Sequence, residues 1–129
     1  MAPRLRVAPF TTEGDATAWV VRWRVSNAGE QSVQLLTAIQ PHSQFRSPLA
    51  AIAKDLEAGA SLEIALPVRF GEAPGSVIEN PFLILRVREA GADWRVLARV
   101  RVSAGSGGEP IASGTVVVTT QRMTPATGG

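Results

Sequence analysis

The chain has 129 residues, 45% apolar and 19% charged, which is the size and make-up of one globular domain rather than of a disordered segment. There is no Cys, so disulfides, thiolate metal sites and thiol catalysis are excluded. All but one of the 13 basic residues are Arg, and Tyr and Cys are absent, so an excess of only +2 is enough to raise the isoelectric point to about 10.4.

Met1-Ala2-Pro3-Arg4-Leu5-Arg6 is basic, but no apolar run follows it. This argues against a signal peptide and favours the cytoplasm for a chain that is complete. No stretch approaches the ~20 apolar residues of a membrane-spanning helix. Leu5 to Phe10 reads as a first strand. From Ala18 to Ser26, Trp19, Val21, Trp23 and Val25 alternate with Val20, Arg22 and Arg24, the period of a half-buried strand. Asn27-Ala28-Gly29-Glu30 has turn chemistry, and Val33 to Ile39 then sets Val33, Leu35, Thr37 and Ile39 opposite Gln34, Leu36 and Ala38. The two strands read as a hairpin.

Ser47-Pro48 has the form of a helix cap, so residues 47–56 read as a short helical turn, with an irregular edge strand as the alternative. Leu62, Ile64, Leu66 and Val68 alternate with Glu63, Ala65 and Pro67; Pro67 either ends this strand or places it at an edge.

Phe82 to Glu89 and Trp94 to Val102 flank Ala90-Gly91-Ala92-Asp93, which reads as a four-residue hairpin loop. With Glu89 opposite Trp94, Val87 pairs Val96, Leu85 pairs Ala98 and Leu83 pairs Val100 on one face. On the other, Arg88 pairs Arg95, Arg86 pairs Leu97, Ile84 pairs Arg99 and Phe82 pairs Arg101. Ser103–Gly114 reads as a long flexible loop and Thr115 to Gln121 as a last strand. The expected organisation is one domain over 1–122 and a flexible tail over 123–129.

About seven short strands with regular turn signals make a single antiparallel β-sandwich. Trp23 in a Trp-rich strand, the Asn-x-Gly turn at Asn27 and Gly29, and the Leu-x-x-Gly-x-Ser step at Leu56, Gly59 and Ser61 resemble bacterial immunoglobulin-like and fibronectin-III-like modules. The resemblance covers the middle third of the chain, lacks the cysteine pair of antibody domains, and implies a fold without implying functional residues.

The chain reads as non-catalytic, without cofactor or metal. The single histidine, His42, stands beside Ser43, and neighbours in an extended chain point apart; no Gly-x-Ser-x-Gly elbow exists. One imidazole without a thiolate makes no usual zinc site, and Glu13-x-Asp15 and Asp55-x-Glu57 follow no calcium-loop pattern. Gly105–Gly108 lacks the Lys-Ser/Thr ending of a phosphate loop. Trp19 and Trp23 read as core, which leaves Trp94 and Phe45 for any sugar stacking.

The second hairpin carries the main candidate. Its outer face gathers Phe82, Ile84, Arg86, Arg88, Arg95, Leu97, Arg99 and Arg101, the mixture of Arg and apolar groups found in interface cores. Either Val116-Val117-Val118 and its neighbours cover the face or a partner does. The expectation is a protein partner or homo-oligomer, with an acidic polymer bound by the Arg stripe as the alternative and nucleic acid disfavoured by the near balance of charge.

Overall fold

The computed structural model describes residues 2–123, and all the regular structure in them is β. Nine strands follow in order: β1 (Leu5–Asp15), β2 (Ala18–Asn27), β3 (Val33–His42), β4 (Phe45–Leu56), β5 (Ser61–Val68), β6 (Val77–Ile78), β7 (Phe82–Glu89), β8 (Ala92–Ala104) and β9 (Pro110–Arg122). They form two antiparallel sheets, one ordered β1-β2-β5 and the other β4-β3-β7-β8. In the second sheet β9 adds to the free side of β8, while the two-residue β6 pairs Ile78 with Val102 in continuation of β7. Among the described residues no helix is long and apolar enough to cross a membrane.

The sheets pack face to face because each strand turns one set of alternating side chains inward. Trp19, Val21, Trp23, Val25, Ile64, Leu66 and Val68 come from the first sheet, and Leu35, Phe45, Leu83, Leu85, Val87, Val96 and Ala98 from the second; all are buried. A side-chain hydrogen bond crosses the core. The Trp23 indole N–H donates to Gln40 Oε1 at 2.8 Å, and both side chains are fully buried.

Strands β2 and β3 do not form the expected hairpin; they lie in opposite sheets, and residues 28–32 carry the chain across. Asn27 directs that crossing. Its buried amide donates to Gln31 O at 2.8 Å and Leu56 O at 3.0 Å, while its Oδ1 accepts the Gly29 N–H at 2.9 Å. The apolar faces of β2 and β3 therefore meet across the core instead of side by side.

Residues 47–56 are strand, not helix. The Ser47 hydroxyl, instead of capping a helix, is buried and accepts the Gln40 N–H at 3.1 Å, and β3 supplies the ladder that a helix would have needed to make internally. Two register shifts and a positive φ at Ala53 make β4 irregular. Strand β5 runs through Pro67 as a sheet edge.

The expected loop over 103–114 is mostly strand. Strand β8 continues to Ala104, and the chain reverses through 105–109, where the Glu109 side chain accepts the Gly107 N–H at 3.1 Å and β9 starts at Pro110. At the other end Met123 N–H donates to Asp93 O at 2.9 Å, so Met123 belongs to the folded unit; the rest of the expected tail lies outside the described residues.

The hairpin β7–β8 is real, but its register differs by two residues from the expected one. Glu89 pairs with Ala92, Val87 with Trp94, Leu85 with Val96 and Leu83 with Ala98. The connection is the two-residue turn Ala90-Gly91, with φ of 50° and 78°, the left-handed pair that suits strand twist. A shift of two residues keeps every side chain on its face while changing each cross-strand partner.

Candidate interaction face

The outward face of the second sheet is banded. In the true register Ile84 lies between Ile39 and Leu97, and Leu97 lies beside Thr119. This apolar row crosses β3, β7, β8 and β9. On one side of it run Phe82, Arg99 and Val117. On the other run Thr37, Arg86, Arg95 and Gln121, and beyond them Gln34, Arg88 and Asp93. Phe82, Ile84 and Leu97 are half-buried by their neighbours, and Arg86, Arg88, Arg95, Arg99 and Arg101 are exposed. All eight expected residues share one surface.

Ile39 and Thr37 belong to that surface for a reason strict alternation hides. Between Leu35 and Thr37 the ladder to β7 shifts register, Val87 being followed by Arg86, which makes Leu36 an extra residue of β3 on that side; against β4 the extra residue lies in β4, between Lys54 and Ala51. Beyond Leu36 the faces exchange: Ala38 and Gln40 are buried, and Thr37 and Ile39 stand outside. The expected grouping of Thr37 and Ile39 with Val33 and Leu35 therefore fails after Leu35. The last strand does not cover the face either. Strand β9 lies beside β8 and extends the surface with Val117, which is 44% exposed.

Charge is unevenly compensated across the bands. Asp93 Oδ1 accepts from Arg88 Nε at 2.7 Å, and Oδ2 accepts from Arg86 Nη2 at 3.3 Å. The Arg88 hydrogen bond is the main cause that holds the Asp93 carboxyl below its ordinary pKa, and the same bond raises that of Arg88. Arg101 pairs with Glu79 at 2.8 Å. Arg95 and Arg99 form no ion pair with a described residue. Arg99 also lines a shallow cavity of about 350 Å3, whose rim includes Arg101, Ser113 and Thr115. Glu79, paired with Arg101, lines it as well, so its charge is mixed.

The remaining candidates are dispersed. His42 sits at the β3–β4 turn, where its Nδ1 accepts the Gln44 N–H at 3.1 Å. Asp55 is at the far end of β4, roughly 30 Å away by strand rise. No Ser–His–acid array is assembled from these groups. Glu13 is engaged by Arg22 at 2.8 Å and Asp15 by Thr17, and the described residues hold no cluster of three or more His, Asp or Glu side chains. Phe45 is fully buried, its ring edge-on to Phe70 at 6.4 Å, so it offers no platform for a sugar. Trp94 is half-buried under the Arg122 guanidinium, 5.9 Å from the ring centroid. A second cavity of about 580 Å3 opens where β4 meets β5, with Trp19 and Val68 beside Arg46 and Arg69.

No family model, curated protein or solved structure matches the chain.

Proposed function

We propose that the chain is a non-catalytic interaction module that holds a protein partner on the outward face of its second sheet. The partner surface that fits has an apolar ridge flanked by carboxylates. The observation that carries this reading is the row Ile39, Ile84 and Leu97 between two bands that hold the free guanidinium groups of Arg95 and Arg99. Half-exposed Ile and Leu across the centre of a sheet are unfavourable in water and favourable against a partner. Two such faces pressed together would oppose Arg to Arg, so charge favours an acidic partner over self-packing of this surface.

The strand order agrees with the fibronectin-III resemblance of the sequence, which bears on the fold alone. Strands 1, 2 and 5 facing strands 4, 3, 7 and 8 is the strand order of such modules, with β9 as an addition. Binding of an acidic polymer is the second reading, favoured by Arg95 and Arg99 and weakened by the pairing of Arg86, Arg88 and Arg101.

Affinity capture with the chain as bait tests the proposal when run beside Ile84→Asp, Arg99→Glu and a control, Arg24→Glu, on the opposite sheet. The expected result is one bound protein, retained by the wild type and the control and lost at least tenfold by the two face variants, all four with the same far-ultraviolet circular dichroism. Capture that ignores both face variants overturns the reading. Retention on heparin that falls steeply with salt, without a protein partner, transfers the face to the polymer.

A further inference from the structure

The two sheets have four edges, and three are guarded against pairing. Strand β1 carries Arg6, Pro9, Glu13 and a register shift after Pro9. Strand β5 carries Glu63 and Pro67. Strand β4 carries Pro48, Lys54, Asp55, two register shifts and the positive φ of Ala53. Charges, prolines and bulges are the devices that stop a free edge from acting as a template. Strands β4 and β5 also meet each other through the Arg46–Arg69 bridge.

The fourth edge is guarded only at its start, by Pro110 and by a register shift between Ser113 and Val117. From Ile111 to Gln121 there is neither a charge nor a proline, and Thr115–Gln121 is a run of β-branched residues closed by one Gln. Strand β9 pairs with β8 along one side, and no described strand pairs with its other side. Its contact with the first sheet is made at its start, where the Thr12 hydroxyl donates to Pro110 O at 2.8 Å. Past that corner the edge stands open, and even the inward Val116 and Val118 are only half-buried.

We infer that the β9 edge is a self-association site, at which Thr115–Gln121 pairs antiparallel with the same segment of a second copy about a two-fold axis. The edge is self-complementary. With the axis at Val118, Val117 lies opposite Thr119 of the second copy, Val116 opposite its Thr120, and Thr115 opposite its Gln121. No like charges meet, and Arg122 falls outside the paired segment. The paired sheet runs continuously through both copies. Arg95 and Arg99 on β8 do not oppose this. Three strand spacings separate them from their counterparts, about 14 Å, beyond the Debye length of about 8 Å at physiological ionic strength. The edge adjoins the face proposed to hold a partner and shares Val117 and Thr119 with it, but edge pairing runs through the β9 backbone and the partner reading rests on Ile39, Ile84 and Leu97, so either can fail without the other.

Sedimentation velocity on the full chain over a wide concentration range, together with amide exchange, tests it. The wild type is expected to pass from monomer to dimer as concentration rises, and the amides of Thr115–Gln121 to exchange at least tenfold more slowly in the dimer. Strand β4 is the internal control, with exchange that ignores concentration. Val117 and Thr119 are both exposed, so Val117→Lys with Thr119→Lys keeps the fold and sets lysine against lysine twice; dimerisation should weaken at least tenfold. Val117→Lys with Thr119→Glu sets opposite charges against each other in the same register and should restore it. A chain that stays monomeric, a dimer that survives the double lysine variant, or β9 amides that exchange equally at all concentrations overturns the inference. A dimer lost on Ile84→Asp and kept by the double lysine variant assigns association to the face instead.

Discussion

The two sheets share one core but differ on their outward surfaces. On the first, each Arg of β2 has an acid: Arg22 meets Glu13 at 2.8 Å, and Arg24 meets Glu63, its direct cross-strand neighbour, at 3.4 Å. The Ser26 and Ser61 hydroxyls share a hydrogen bond of 2.7 Å in the next row. On the second, Ile and Leu occupy the centre, and Arg95 and Arg99 beside them form no ion pair among the described residues. The centre of the first face is thus finished with ion pairs and hydroxyls. A face that leaves an apolar row between cations is unfinished until something lies against it. This contrast is what supports the proposal that a partner lies against the second face.

It presumes that the sheets are held as one unit, so that face substitutions act on recognition and not on folding. The largest expected effect tests that. Trp23→Phe removes the indole N–H and leaves the buried Gln40 amide with no side-chain partner, since Gln40 Nε2 is already unbonded. A loss of about 2–4 kcal/mol is expected from the cavity and the stranded carbonyl. Adding Gln40→Leu removes the stranded amide and should recover a good part of it. Urea midpoints of the two single variants and the double variant measure the coupling; strict additivity would mean that the cross-sheet bond contributes nothing.

Faces were legible in the sequence where partners were not. Alternation in Phe82–Glu89 and Trp94–Val102 places Phe82, Ile84 and Leu97 outward in either register, because a slip of two residues preserves parity. The pairing depends on the turn, and Ala90 conceals a left-handed position that Asn or Gly would have announced. The bulge at Leu36 left no mark, because Leu36 and Ile39 are both apolar and either phase of the pattern satisfies β3. Ser47-Pro48 imitates a helix start whose hydroxyl in fact serves a neighbouring strand. Whether β2 and β3 share a sheet was beyond any local pattern, since the crossing depends on Asn27 reaching Leu56 O, 29 residues away. Thr115 to Gln121 was legible as a last strand, but its place as an open edge beside β8 was not, since strand order is no local property.

The turns of the two sheets sharpen the same contrast at smaller scale. In the first sheet the β1–β2 turn is tied by Asp15, whose Oδ1 accepts the Thr17 N–H at 2.9 Å. In the second, the β7–β8 turn places Ala90 at φ 50°. A non-glycine residue there is strained, and Asn tolerates the conformation better. Ala90→Asn should stabilise the chain by about 0.5–1 kcal/mol, read as a shifted urea midpoint at unchanged slope. A destabilised variant would place the turn in another geometry and return the register, and with it the row through Ile84, to question.

The smallest effect concerns how much of the second face is charged. Asp93 is held ionised mainly by the Arg88 hydrogen bond, so its folded pKa lies below its unfolded one. Stability from this pairing is present above the unfolded carboxylate range, near 3.9, and is lost as pH falls through the folded value. Arg88 is exposed and Asp93 partly so, and the contribution is therefore small and fades with added salt. Asp93→Asn removes that acid dependence and frees Arg86 and Arg88 beside Arg95, so the variant should elute from heparin at higher salt than the wild type. Carbon-detected titration of the Asp93 carboxyl gives the complementary reading. A midpoint in the ordinary carboxylate range would mean that Arg86 and Arg88 are free in solution, and the polymer reading of the face would then gain on the protein one.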